Sequence, residues 1–284
     1  MDQWLIVIAG YLGLVTCALI CAVSAFYGIF FPKHAKRSEL LLLASMVGFT
    51  GPLFAAKILQ WLSLRRLARY DYYVFHWDGL VQFQPSFAVA NLFQHIPFLA
   101  FVSGLTYDFM CAAPVLVFAL YLFRRSKREA FRIALAFLVN LFGALPIYLL
   151  FPVSGPAYAF PGFPGNLPEQ LIIQPIRFIS APPNGVPSVH FSTALLVFWF
   201  LRRWRLGIVC GSVYVGLTAL GTLGSGEHYL FDLIAAIPYA AAVYWLVMRP
   251  IWQRLGAEST PAKVHILGAR ENALAARNSP AFEG

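Results

Sequence analysis

Residues 184–201 read NGVPSVHFSTALLVFWFL, a polar start that runs into an apolar stretch with no charge until Arg202. Pro187 suits the first turn of a helix, where its missing N–H would have no partner in any case, and Ser188 or Asn184 can cap that turn. The helix that follows has no polar face to offer water. Such a helix is buried in protein or in lipid, and His190 stands at its mouth.

The rest of the chain decides for lipid. Of 284 residues, 60% are hydrophobic and 12% charged, against roughly 25% charged in soluble domains. Apolar runs cover about 4–31, 39–64, 87–104, 106–123, 130–151, 188–201, 207–223 and 229–248, and several reach the ~20 residues that carry a helix across a ~30 Å hydrocarbon core. A β-barrel would show short alternating segments instead. The expected fold class is all-α, a polytopic membrane helix bundle of seven or eight transmembrane helices. The run 87–104, which contains His95 and Pro97, has a re-entrant segment as its alternative. The first run begins after Asp2 rather than after a basic stretch and is too long for a signal core, so it reads as an anchor. Cys17, Cys21, Cys111 and Cys210 all lie in apolar runs and read as packing residues.

A net charge of +9 raises the question of nucleic acid, but the cations sit in short tracts between apolar runs, where membrane topology explains them. RRSKREAFR (124–132) carries five, RRWR (202–205) three and the tail after Met248 five. These tracts are expected in the cytoplasm. The loop 152–187 and the turn GSGEH (224–228) then face the other side, with Arg177 their one Lys or Arg. Nine of the nineteen prolines fall in 152–187, which predicts a semi-rigid cap rather than a helix. Three regions are expected: 1–86, two N-terminal transmembrane helices and an interfacial segment; 87–250, the catalytic core with its Pro-rich outer loop; and 251–284, a disordered cytoplasmic tail. Glycines 207, 211, 216 and 221 should let the helix at 207–223 pack closely.

Two polar clusters open helices on the same side. One ends in His190; the other is EHYLFD (227–232). His228 and Asp232 are four residues apart, so a shared helix face lets the carboxylate hold the imidazole in one tautomer. A carboxylate one turn inside a membrane helix is costly without a partner, and His228 is the natural one for Asp232. An imidazole held this way is a nucleophile or base, and a second histidine facing it can move the opposite proton. Exposed N–H groups at the two helix starts attract phosphate. Together these features favour phosphoryl transfer at the membrane surface, with no metal or other cofactor. The rival classes are a transporter, although Lys57 and Asp232 are nearly the only deep charges, and a hydrolase whose two His and one Asp hold a metal.

PSVH (187–190) resembles the Pro-Ser-x-His element of the phosphatidic acid phosphatase type 2 superfamily, and EHYLFDL (227–233) resembles its closing His-x3-Asp element. The similarity spans roughly 87–248 and implies a six-helix core with two helices added in front. In the phosphatase branch an Arg stands six residues before the second His, where this chain has Thr222, and an earlier Lys-x6-Arg-Pro element is missing here. GP-x-YAFPG (155–162) with the two His elements is instead similar to the inositol phosphorylceramide synthase branch. The resemblance implies that His228 is the nucleophile forming a phosphohistidine, that Asp232 orients it, and that His190 protonates the leaving alkoxide and then deprotonates the acceptor. A lipid hydroxyl as acceptor makes a headgroup transferase; water makes a lipid phosphatase. Arg177, Ser188, Tyr158 and Tyr229 are the expected substrate contacts, and membrane lipids the expected partners. The lipid identities and the oligomeric state are not legible in the chain.

Overall fold

The computed structural model describes residues 70–108, 110, 112–124, 127–167 and 183–248. The two N-terminal runs, Arg177 and the 251–284 tail lie outside them. Among the described residues all regular structure is helical: α1 (Asp71–Asp78), α2 (Pro85–His95), α3 (Pro97–Asp108), α4 (Ala112–Arg124), α5 (Lys127–Leu150), α6 (Pro156–Ala159), α7 (Val189–Leu201), α8 (Arg205–Gly224) and α9 (Leu230–Met248). Among the described residues three helices are long and apolar enough to cross a bilayer, Arg132–Leu150, α8 and α9, and a fourth crossing results if α3 and α4, bent by 60°, form one span. The run 87–104 is not one helix. Pro97 has no N–H to continue the ladder, so α2 ends at His95 and α3 begins anew at Pro97.

The helix α8 is the hub, packing on α7, α3 and α2, while α5 lies against α4 and α7. Its glycines explain the closeness. A Cβ at Gly211 would stand 3.0 Å from the Phe198 ring of α7, and one at Gly221 only 2.7 Å from the Ser103 carbonyl of α3. Gly216, grouped with them by spacing, faces open space. Cys210 on the same helix is exposed rather than packed.

Hydrogen bonds lock the spans where water is absent. Asn140 of α5 donates to Thr193 Oγ1 at 3.0 Å and accepts from Ser192 Oγ at 2.7 Å, both on α7, and its carbonyl accepts from Tyr239 of α9 at 2.5 Å. Interhelical bonds of this kind contribute about 0.6 to 2 kcal/mol each in membranes. At one end of the bundle the basic tracts meet, with Arg203 bound to Glu129 at 3.1 Å and Arg202 over the Tyr244 ring. Every Lys and Arg among the described residues belongs to 124–132 or 202–205.

The other end is built on α1. The stretch around it reads as a headgroup-level mixture of arginines and aromatics, yet Asp71 and Asp78, two turns apart on one face, are both buried. Asp71 accepts from the N–H groups of Ser154 and Gly155 and from Tyr229 Oη; Asp78 accepts from the N–H groups of Leu230 and Phe231 at 2.7 and 2.9 Å. One short helix thus ties the chain after α5 to the start of α9. Aromatic rings close the gaps around it, Tyr70 on Phe151 and Trp77 on Phe231, each pair 4.6 Å apart.

Burial raises both carboxyls from 3.8 to about 6, against the opposing pull of their N–H donors. An acid whose pKa is higher folded than unfolded binds its proton more tightly in the native state, so its contribution to stability falls as pH rises between the two values. The melting temperature in detergent is therefore expected to fall from about pH 4 to about pH 6 and then level off, with Asp78→Asn flattening part of the slope. A melting temperature that climbs through this window would contradict the assignment.

Candidate active site

Ser188, not Pro187, begins α7: its Oγ accepts the Phe191 N–H, and the proline lies one residue outside the cap. Two bonds fix this entry. Tyr148 Oη donates to the Pro187 carbonyl at 2.9 Å, and the Ser188 N–H donates to the Asp232 carbonyl at 3.2 Å. The second joins the mouth of α7 to the first turn of α9, bringing the two polar clusters of the sequence together.

His228 precedes α9 instead of sharing a face of it. The pairing with Asp232 survives because the Asp232 carboxylate folds back toward the helix start, accepting the Tyr229 N–H at 2.9 Å and meeting His228 Nδ1 at 3.2 Å through the same Oδ2. An acid three residues past the cap that takes the cap N–H is half of a capping box. Ser86 Oγ donates to the His228 carbonyl at 2.8 Å and fixes the backbone from the α2 side. His228 is 2% exposed and Asp232 fully buried, so their bond faces no competition from water. With Nδ1 committed to the carboxylate as donor, Nε2 keeps its lone pair.

The His190 ring lies 5.6 Å from the His228 ring, edge to face. Tyr107 of α3 stacks on His190, 4.0 Å between centroids, and its hydroxyl donates to Glu227 Oε2. Tyr158 Oη donates to Glu227 Oε1 at 3.4 Å. Burial pushes the Tyr158 phenol up, so it remains a donor at neutral pH. Tyr107 therefore spans the two histidine-bearing segments, touching one ring and holding the neighbour of the other. Nothing in its sequence surroundings signals this; the contact depends on where the α3–α8 packing places it.

Close backbone approach holds the segments in place. Gly155 (φ 101°) has its would-be Cβ 2.4 Å from the Glu227 carbonyl, and Gly185 has its own 2.8 Å from a Val153 methyl, while its N–H donates to the Val153 carbonyl at 2.7 Å. The Pro-rich loop, as far as 167, is a run of turns around α6 that packs under the 225–229 turn, with the Ala157 N–H bound to the Gly226 carbonyl.

Some expected substrate contacts lie elsewhere. Tyr229 is fully buried, and its hydroxyl donates to Asp71 on the side of α1. Ser188 is buried and serves as the cap. The N–H groups expected to attract phosphate are largely taken: those of Leu230 and Phe231 by Asp78, that of Ser188 by Asp232 and that of Glu227 by Ser225 Oγ. Tyr158 does reach the site, through Glu227. Among the described residues no group of three or more His, Cys, Asp or Glu is placed to hold a metal ion.

A buried imidazole–carboxylate pair faced by a second imidazole at the end of a membrane helix bundle can exchange protons with, and attack, an electrophile delivered from the bilayer. A profile of the PAP2 superfamily matches residues 72–246, more than half of the chain. The chain belongs to the PAP2 superfamily, whose members are generally phosphatases or phosphotransferases. No curated protein and no solved structure matches it significantly.

A side chain at position 155 has to displace the backbone that carries His228. Gly155→Ala is expected to destabilise by about 2 kcal/mol or more, from a φ that L residues avoid and a carbonyl clash. Thermal unfolding in detergent measures this; a melting temperature equal to that of wild type would show that the loop is not braced as described.

Proposed function

We propose that the chain is an integral membrane phosphotransferase that moves a phospho-headgroup between lipids through a phosphohistidine on His228. The supporting observation is the contact of Asp232 with His228 Nδ1: with that nitrogen as the donor, Nε2 is the nucleophilic nitrogen, and it belongs to the ring that His190 faces at 5.6 Å. In this reading Nε2 attacks phosphorus, the bond from phosphorus to the lipid alkoxide breaks, and His190 gives that oxygen its proton. The acceptor hydroxyl then loses its proton to His190 as its oxygen attacks phosphorus and the P–N bond breaks. Asp232 stabilises the positive charge that the nucleophilic ring acquires.

A lipid acceptor is favoured over water by the charge at this end. Among the described residues the site has Glu227, Asp71, Asp78 and Asp232 close by and no Lys or Arg. A phosphatase acting on a dianionic monoester needs cations to stabilise its transition state, whereas a phosphodiester donor carries one charge. The GP-x-YAFPG element beside the two His elements supports the inositol phosphorylceramide synthase branch in particular. Arg177 supplies a phosphate contact in this reading. In this reading the basic end faces the cytoplasm, as the positive-inside rule favours, and the imidazoles work at the extracytoplasmic leaflet of a plasma membrane.

His228→Ala and His190→Ala are expected to lower turnover by about 10³-fold or more and Asp232→Asn to remove most of it, with the protein still folded in detergent. The assay supplies labelled phospholipid with and without diacylglycerol or ceramide. New labelled lipid marks a transferase, and free phosphate alone marks the phosphatase. Acid-labile phosphate trapped on wild type and absent from His228→Ala identifies the nucleophile, and activity that chelators abolish would favour a metal hydrolase.

A further inference from the structure

Glu227 differs from Asp71, Asp78 and Asp232 in what binds it, and Asp108 at the end of α3 adds a second carboxylate within its electrostatic reach. Asp71 and Asp78 accept from backbone N–H groups, and Asp232 from one N–H and the His228 ring; each has a part in holding chain segments together. The carboxylate of Glu227 is held by two phenols, Tyr107 on one oxygen and Tyr158 on the other, and the residue is only partly buried. Phenols orient a carboxylate without cancelling its charge. The ring of Tyr107 lies 4.0 Å from that of His190, so the charge sits within one tyrosine's length of the proton-transferring imidazole, and Glu227 is the chain neighbour of His228. Among the described residues no Lys or Arg lies at this end, and Arg177 is the one cation that the reading above sets beside the phosphate.

A negative charge fixed so near the reacting phosphorus repels a dianion about twice as strongly as a monoanion, in surroundings that screen poorly. The geometry points to Glu227 as a specificity-determining residue: its charge, held in place by Tyr107 and Tyr158, turns away dianionic phosphomonoesters and admits monoanionic phosphodiesters. This rests on the phosphotransfer reading above and names the substrate class of the same site.

The test compares kcat/KM for a lipid phosphomonoester and for the phosphodiester of the same lipid in wild type, Glu227→Gln and Glu227→Asp. Gln keeps the size and loses the charge; Asp keeps the charge. Glu227→Gln is expected to shift the monoester-to-diester ratio by about tenfold or more toward the monoester, with Glu227→Asp staying near the wild-type ratio. A merely structural Glu227 would lower both substrates together, and an unchanged ratio in Glu227→Gln overturns the inference. Should Glu227→Gln not fold, inhibition of wild type decides: in mildly alkaline buffer a long-chain alkylphosphonate, a dianion, is expected to bind about tenfold or more weakly than its monomethyl ester, a monoanion. Equal inhibition overturns the inference. Failure to trap any phosphoenzyme in wild type sinks the parent reading, whereas a phosphoenzyme with an unchanged substrate ratio sinks the filter alone.

Discussion

The contact between His228 Nδ1 and Asp232 Oδ2 exists because a membrane protein has few ways to keep a carboxylate dry. Asp232 is fully buried at the start of an apolar span, and its Oδ1 has no hydrogen-bond partner among the described residues. All of its donors converge on Oδ2, one from the Tyr229 backbone and one from the imidazole ring. That concentration sets the ring's tautomer. The carbonyl of the same residue accepts the Ser188 N–H, so a single aspartate determines both the state of one histidine and the position of the helix that carries the other.

Around this centre the same device is used twice more. Asp71 and Asp78 each gather two backbone N–H groups from segments far away in the chain. A buried carboxyl that accepts two backbone N–H bonds is a directional fastener, and those bonds offset part of the cost that burial puts on its charge. They replace the hydrophobic effect, which gives little drive to associate segments inside a bilayer. A consequence for chemistry follows: the positive end of α9 is already occupied by Asp78, and the site cannot rely on it to bind phosphate.

The helical class, the three long spans and the His190, His228 and Asp232 constellation were legible in the chain because each rests on local pattern. Hydrophobic runs of span length announce themselves, and the PSVH and EHYLFD elements keep their chemistry within a few residues. What stayed hidden depends on long-range placement. Asp71 and Asp78 sit among arginines and aromatics that read as an interfacial belt, and only the fold brings them to residues about 80 and 150 positions away. Tyr107 looks like any membrane tyrosine until α3 packs on α8. Tyr229 misled for the opposite reason: its position beside His228 suggested the pocket, but adjacent residues leaving a turn point in different directions, and its hydroxyl went to Asp71.

The polar knot of Asn140, Ser192, Thr193 and Tyr239 begins two residues past His190 on α7, just inside the apolar layer from the imidazoles. Directional bonds there prevent α5, α7 and α9 from sliding past one another along their axes. A bilayer thicker or thinner than the bundle must then be met by tilting the three spans as a group or by deforming the lipid around them. The spacing of the two rings is thereby insulated from hydrophobic mismatch, so the same reaction geometry can persist as the lipid composition of the membrane changes.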